Sequence, residues 1–128
     1  TTPETTPETT IETKPKTIIA SYHAEKMLTP DEFTACEHRL RSFGDIPKIV
    51  LAPQNNEDAI TLLSCLVHAE KPICVSIMGT GYSWLRPFLL LMGSHFAYCH
   101  SGAGDAPAAG QFHIQEMKQV LSLLSHNR

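Results

Sequence analysis

Residues 45–53 read Asp-Ile-Pro-Lys-Ile-Val-Leu-Ala-Pro, an apolar run framed by prolines with a lysine near its middle. Aliphatic residues bounded by chain breakers predict a short buried strand. Alternate residues of a strand share a face, and both faces of this strand are apolar. Wherever Lys48 points, its side chain is therefore expected to leave bulk water.

A lysine in such a strand has two interpretations. Burial disfavours the ammonium ion and lowers the pKa of a lysine, so that a neutral amine can attack a carbonyl and form a Schiff base. The more common outcome is structural, with the side chain reaching to the surface or pairing with a buried carboxylate. The strand alone leaves both interpretations open.

The same strand-then-helix unit recurs along the chain. Strands are predicted at 17–23, 46–52, 73–78 and 96–100, and helices at 29–43, 56–68, 84–92 and 114–125. This alternation with short connections predicts a parallel sheet with crossover helices. Four such units fit a small open sheet or half of an eight-unit barrel, and in both cases ligands bind at the carboxyl ends of the strands.

The composition is that of one soluble globular domain. The 128 residues are 42% hydrophobic and 18% charged, and the net charge of -3 gives no reason to expect nucleic acid or a membrane as a partner. Residues 1–16, TTPETTPETTIETKPK, predict a disordered tail or linker before a folded domain at 17–128.

Cysteine and histidine spacing gives no sign of a metal site. The four cysteines form no C-x-x-C pair and are interpreted as reduced packing residues of a cytoplasmic protein. His95 and His100 lie close in sequence without a carboxylate between them, so both are interpreted as structural or surface residues. The sequence predicts neither a metal nor a cofactor.

Several short motifs follow one another at characteristic distances. They are Ser21-Tyr22-His23, Thr29-Pro30, Ile46-Pro47-Lys48-Ile49-Val50, Met78-Gly79, Arg86 seven residues before Gly93-Ser94, and Ala109-Gly110-Gln111. The ordered set, over residues 17–126, resembles type I 3-dehydroquinate dehydratase. The resemblance implies the last four units of a (β/α)8 TIM barrel. It also implies the family's reaction, the removal of water from 3-dehydroquinate through a lysine Schiff base in the shikimate pathway.

The resemblance assigns a role to four residues. Lys48 matches the Schiff-base lysine, His23 the general acid and base, Arg86 the arginine that holds the substrate carboxylate, and Gln111 the glutamine of the loop that closes over the substrate. The residue types suit these roles. A protonated imine acidifies the neighbouring C–H, a histidine can move that proton, and an arginine fork fits a carboxylate.

A half-barrel alone leaves two sheet edges and an apolar face uncovered. The chain is therefore expected to pair with an N-terminal half-barrel or with a second copy of itself. The alternative function is a catalytically degenerate half-barrel that binds a carboxylate ligand or a protein. Pro107 favours the alternative because the family pattern has a serine at this position.

Overall fold

The computed structural model describes residues 16–103 and 109–125. Three parallel strands form one sheet in the order β1 (Ile19–His23), β2 (Ile46–Leu51) and β3 (Cys74–Ile77). The helices are α1 (Pro30–Arg41), α2 (Asn56–His68), α3 (Leu85–Leu91) and α4 (Ile114–Ser125). These elements confirm the predicted order and bounds to within two residues, apart from the fourth strand. The predicted tail and Pro107 lie outside the described residues, except for Lys16.

Side-chain caps fix where the first two helices begin. Thr29 Oγ1 accepts a hydrogen bond from Glu32 N at 3.1 Å, and Glu32 Oε1 accepts one from Thr29 N at 2.9 Å. This reciprocal pair satisfies two backbone donors at the start of α1. Asn55 Oδ1 accepts from Asp58 N at 2.8 Å and caps α2, while Asp58 Oδ2 accepts from Gln54 N at 2.8 Å. Both helices therefore start just beyond the carboxyl ends of their strands.

The hydrophobic core lies between one face of the sheet and the first three helices. Ile49 and Leu51 point to this side from the central strand, and both are fully buried. They pack against buried side chains of the helices and β3, namely Phe33, Leu62, Leu66, Val75, Ile77, Leu85 and Leu89. Full burial of one such side chain contributes about 1.5–3 kcal/mol. This packing leaves Lys48 and Val50 on the opposite face of β2.

The predicted fourth strand at 96–100 is not formed, and only His100 makes an isolated bridge, to His113. Three groups occupy the outer backbone groups of residues 73–77: His95 N donates to Ile73 O at 2.7 Å, Arg86 Nη2 donates to Ile77 O at 3.0 Å, and Ser94 binds the residue between them. Ser94 Oγ accepts from Val75 N at 2.9 Å and lies 3.3 Å from Val75 O, so a side chain occupies backbone groups at the edge of β3. With no strand beyond β3, the segment after Ser94 folds over the face of the sheet that carries Lys48 and Val50. We call this the open face.

No helix in the described ranges, 16–103 and 109–125, is long and apolar enough to cross a membrane.

Candidate active site

Strand register brings the chemical groups of the open face together. Lys48 pairs with Ser21 of β1 on one side and with Cys74 of β3 on the other. His23 is the last residue of β1. It pairs with Val50, two residues further toward the carboxyl end than the Ser21–Lys48 pair. Because paired residues of parallel strands share a face, the His23 and Lys48 side chains lie on neighbouring strands of the same surface.

A cavity of about 320 Å³ opens at this end of the sheet. All four residues singled out from the sequence line it: His23, Lys48, Arg86 and Gln111. The remaining lining comes from the strands and from the loops that follow them, namely Val50, Ser76, Ile77, Met78, Gly79, Tyr98 and Ala109. Residues spread over 89 positions of the chain, from 23 to 111, therefore meet at one site.

Arg86 is the most deeply buried charge of the site, with 7% of its surface exposed. Its Nη2 donates to Ile77 O at 3.0 Å and to Ala109 O at 3.3 Å, while its buried Nε has no partner among the described residues. Burial lowers the pKa of the Arg86 guanidinium, and the nearby Cys99 opposes this shift. An arginine nevertheless stays protonated in proteins.

The Arg86 charge has no acidic partner in the described part of the chain. The ion pairs there are those of Arg41 with Glu37 and Glu70. A buried charge without a counter-ion is costly, and an anion that enters the cavity would relieve this cost. The site is therefore suited electrostatically to a ligand with a carboxylate or another small anionic group.

Lys48 is half-buried on its face of the sheet. Its Nζ lies 4.5 Å from the centroid of the Tyr98 ring, within the range of a cation–π contact. His23 is exposed at the end of β1, and Gln111 is half-buried in the lining of the cavity. The amine and the imidazole are thus open to a ligand in the cavity.

Sequence reasoning did not find Tyr98 as a site residue. The sequence predicts a strand at 96–100, and one aromatic residue among others in a strand has no distinguishing chemistry. Its position over Lys48 follows from the course of residues 94–100 across the open face. His95 and His100, which lie close in sequence, do not pack together as rings: the ring beside His100 is that of His113, with centroids 5.2 Å apart.

The model of the type I 3-dehydroquinase family matches residues 1–128. The chain belongs to this family. A 3-dehydroquinate dehydratase of Methanoregula boonei is 40% identical over 111 residues, which are 86% of this chain and 52% of the relative. One of Methanospirillum hungatei is 43% identical over 110 residues, covering 86% of this chain and 42% of the relative.

Solved structures of dehydroquinate dehydratases support the half-barrel fold. The type I enzyme of Clostridium difficile, with covalently modified comenic acid, superposes with a TM-score of 0.73 at 28% identity over 88% of this chain and 46% of its own. The Aquifex aeolicus enzyme gives a TM-score of 0.73 at 25% identity, covering 86% and 50%. This member of the type I dehydroquinase family thus spans about half the length of the relatives it matches.

Proposed function

We propose that the chain is the catalytic half of a 3-dehydroquinate dehydratase, a lyase that acts through a Schiff base on Lys48. The observation that carries this proposal is the single cavity lined by His23, Lys48, Arg86 and Gln111. An amine, an imidazole, an arginine and an amide in the lining of one cavity suit a substrate that has both a ketone and a carboxylate. Membership of the type I 3-dehydroquinase family supports the same substrate.

Each residue has a distinct task in the proposed reaction. The Lys48 amine attacks the ketone and expels water, which forms an imine. The protonated imine draws electrons from the adjacent C–H bond, and His23 accepts that proton. His23 then returns a proton to the departing hydroxyl group, which leaves as water. A second water hydrolyses the imine and frees Lys48, so the net loss is one water.

Arg86 and Gln111 hold the substrate in this scheme. A buried guanidinium without a described counter-ion favours a carboxylate. Gln111 provides an amide in the lining of the cavity. None of the proposed steps needs a metal or a cofactor.

A second half-barrel is proposed to complete the site. Among the described residues, β1 pairs with β2 alone, which leaves its other edge unpaired. Ile18 and Ile19 at this edge are 55% and 42% exposed. An open strand edge with exposed apolar residues favours pairing with another strand. The partner is either an N-terminal half-barrel or a second copy of this chain, and a dimer or heterodimer is expected above micromolar concentrations.

Light scattering of the purified chain, alone and with an N-terminal half-barrel, tests this assembly. A mass that corresponds to a pair of half-barrels is expected. A stable, non-aggregating monomer that still converts dehydroquinate would refute the need for a partner.

We also place the protein in the cytoplasm, because Cys36, Cys65, Cys74 and Cys99 are all free thiols.

Borohydride trapping tests the reaction itself on the assembled protein. Reduction in the presence of dehydroquinate should attach the ligand covalently to Lys48. Endoproteinase Glu-C isolates this lysine on a peptide that runs from residue 38 to 57, because Glu37 and Glu57 flank it. Lys48→Ala should abolish the adduct, whereas Lys26→Ala should not, because Lys26 is exposed and does not line the cavity.

One observation favours the alternative, a half-barrel that binds a carboxylate ligand without catalysis. The Lys48 ammonium already has a partner in the Tyr98 ring. If the assembled protein binds dehydroquinate and is never trapped by borohydride, the catalytic proposal is wrong and the binding function replaces it.

A further inference from the structure

Gly110 makes the closest backbone approach at the mouth of the cavity. A Cβ atom built on this glycine would lie 2.6 Å from Gly79 O and 3.4 Å from Thr80 Cα. It would also lie 3.3 Å from Ser83 Cβ. Real Cβ atoms do not approach a carbonyl oxygen at 2.6 Å, so no side chain fits here. The Gly110 φ angle of +80° also favours glycine.

A second contact holds Ala109, the residue just before Gly110. Ala109 O accepts a hydrogen bond from Arg86 Nη2 at 3.3 Å. The same Nη2 donates to Ile77 O, so one buried guanidinium links the end of β3 to residue 109. Two successive residues are therefore held, one by a hydrogen bond and the next by close backbone packing. Gln111 follows directly and lines the cavity.

We propose that Gly110 is a positioning residue whose missing side chain lets the backbone rest on the Gly79 carbonyl and so places Gln111 at the cavity. This inference rests on the proposed function, in which Gln111 holds the substrate. Gly110 touches no substrate itself and acts through Gln111.

The expected effect of Gly110→Ala follows from the atoms that the added methyl group would contact. The obstructing atom is a backbone carbonyl oxygen and not the end of a flexible side chain, so the 109–111 backbone has to move away. Gln111 is then displaced from the wall of the cavity.

Gly102 provides a matched control near the other end of the same connection. Its φ is +84°, close to that of Gly110, so alanine introduces similar backbone strain. A Cβ there would meet the His113 side chain at 3.4 Å, an ordinary van der Waals contact. Gly102→Ala therefore reproduces the strain of Gly110→Ala without the backbone clash, and Gly102 does not line the cavity.

Amide NMR spectra of the full chain test the contact. The Gly79 and Thr80 signals should shift in Gly110→Ala and remain in place in Gly102→Ala. The β2 signals in the same spectra report whether each variant is folded. Unchanged Gly79 and Thr80 signals in folded Gly110→Ala would overturn the proposal.

Steady-state kinetics of the assembled protein test the consequence for Gln111. Gly110→Ala should raise KM for dehydroquinate about 3- to 10-fold, the range for loss of one neutral hydrogen bond, with little change in kcat. Gln111→Ala should do the same. If Gly110 acts through Gln111, the double variant should lose no more than either single variant.

Additive losses, or an unchanged KM in Gly110→Ala, would overturn the positioning role. A wild-type protein that binds no dehydroquinate would refute the proposed function instead. In that case the Gly79 and Thr80 signals still decide whether Gly110 holds this backbone in place.

Discussion

The Lys48 Nζ lies 4.5 Å from the centroid of the Tyr98 ring, so the proposed nucleophile is in contact with an aromatic face. Tyr98 is itself 50% exposed and packs edge-on against Phe96, with centroids 5.6 Å apart. The ring therefore covers the amine from the side on which the sheet has no helix. The amine gives up this contact when it moves to attack a carbonyl ligand in the cavity.

Removal of the Tyr98 ring should accelerate imine formation. An exposed cation–π contact is worth about 0.5–1 kcal/mol, and Tyr98→Leu removes this cost of withdrawing the amine. The rate of borohydride-trapped adduct formation at Lys48 should then rise about 2- to 5-fold. Quenched time courses read by mass spectrometry measure this rate.

Tyr98→Phe is the matched control because it keeps the ring and loses only the hydroxyl group. Its trapping rate should stay at the wild-type value. A slower rate in Tyr98→Phe would instead assign the tyrosine hydroxyl a direct part in binding or proton transfer.

His23→Ala should separate imine formation from proton transfer. Trapping at Lys48 should persist, because the amine attacks the ketone without the imidazole. Product formation should fall about 10²–10⁴-fold, the usual contribution of a general acid–base group. His38→Ala is the control, since His38 is exposed on α1, across the sheet from the cavity. A His23→Ala variant with wild-type turnover would remove His23 from the mechanism.

Arg86→Lys should weaken dehydroquinate binding even though the charge is kept. A single ammonium cannot replace a guanidinium fork that bonds Ile77 O, Ala109 O and a carboxylate. The expected loss is about 1.5–3 kcal/mol of binding free energy, the range for a hydrogen bond to a charged group. Titration calorimetry measures it, with the exposed Arg39→Lys as control. Unchanged affinity would show that Arg86 does not hold the substrate.

Cys36 should make the fold less stable at alkaline pH. Burial raises the pKa of its thiol, while nearby Arg39 opposes the shift. The folded state therefore holds this proton at a pH where the unfolded thiol, with a pKa of about 8.5, has lost it. This contribution is fully present below the unfolded pKa and is lost as pH rises through the raised folded pKa, by at most about 1.4 kcal/mol per pH unit.

Urea unfolding of the wild type and of Cys36→Ala between pH 7 and pH 10 isolates the contribution of Cys36 to the free energy of unfolding, because the other titrating groups are common to both proteins. The free energy of unfolding should fall more steeply with pH in the wild type. Parallel pH profiles of the two proteins would contradict the prediction.

Most secondary structure followed from local sequence, and the four candidate site residues followed from the resemblance to a known family. Apolar runs and the Thr29–Glu32 capping pair fixed strands and helices to within two residues, because these signals act over a few positions. The motif set pointed to His23, Lys48, Arg86 and Gln111, and parallel strands bring residues at their carboxyl ends to one edge. These four residues line one cavity in the structure.

Tertiary contacts decided the rest, because the interacting groups are distant in the sequence. No local pattern shows that the Ser94 hydroxyl takes the Val75 backbone groups, yet this contact replaces the fourth strand at the edge of β3. The contact of the Tyr98 ring with Lys48 and the close approach of Gly110 to the Gly79 carbonyl also depend on how distant segments pack together. Composition and periodicity determine which segments form strands and helices, whereas packing between segments determines which atoms reach the amine.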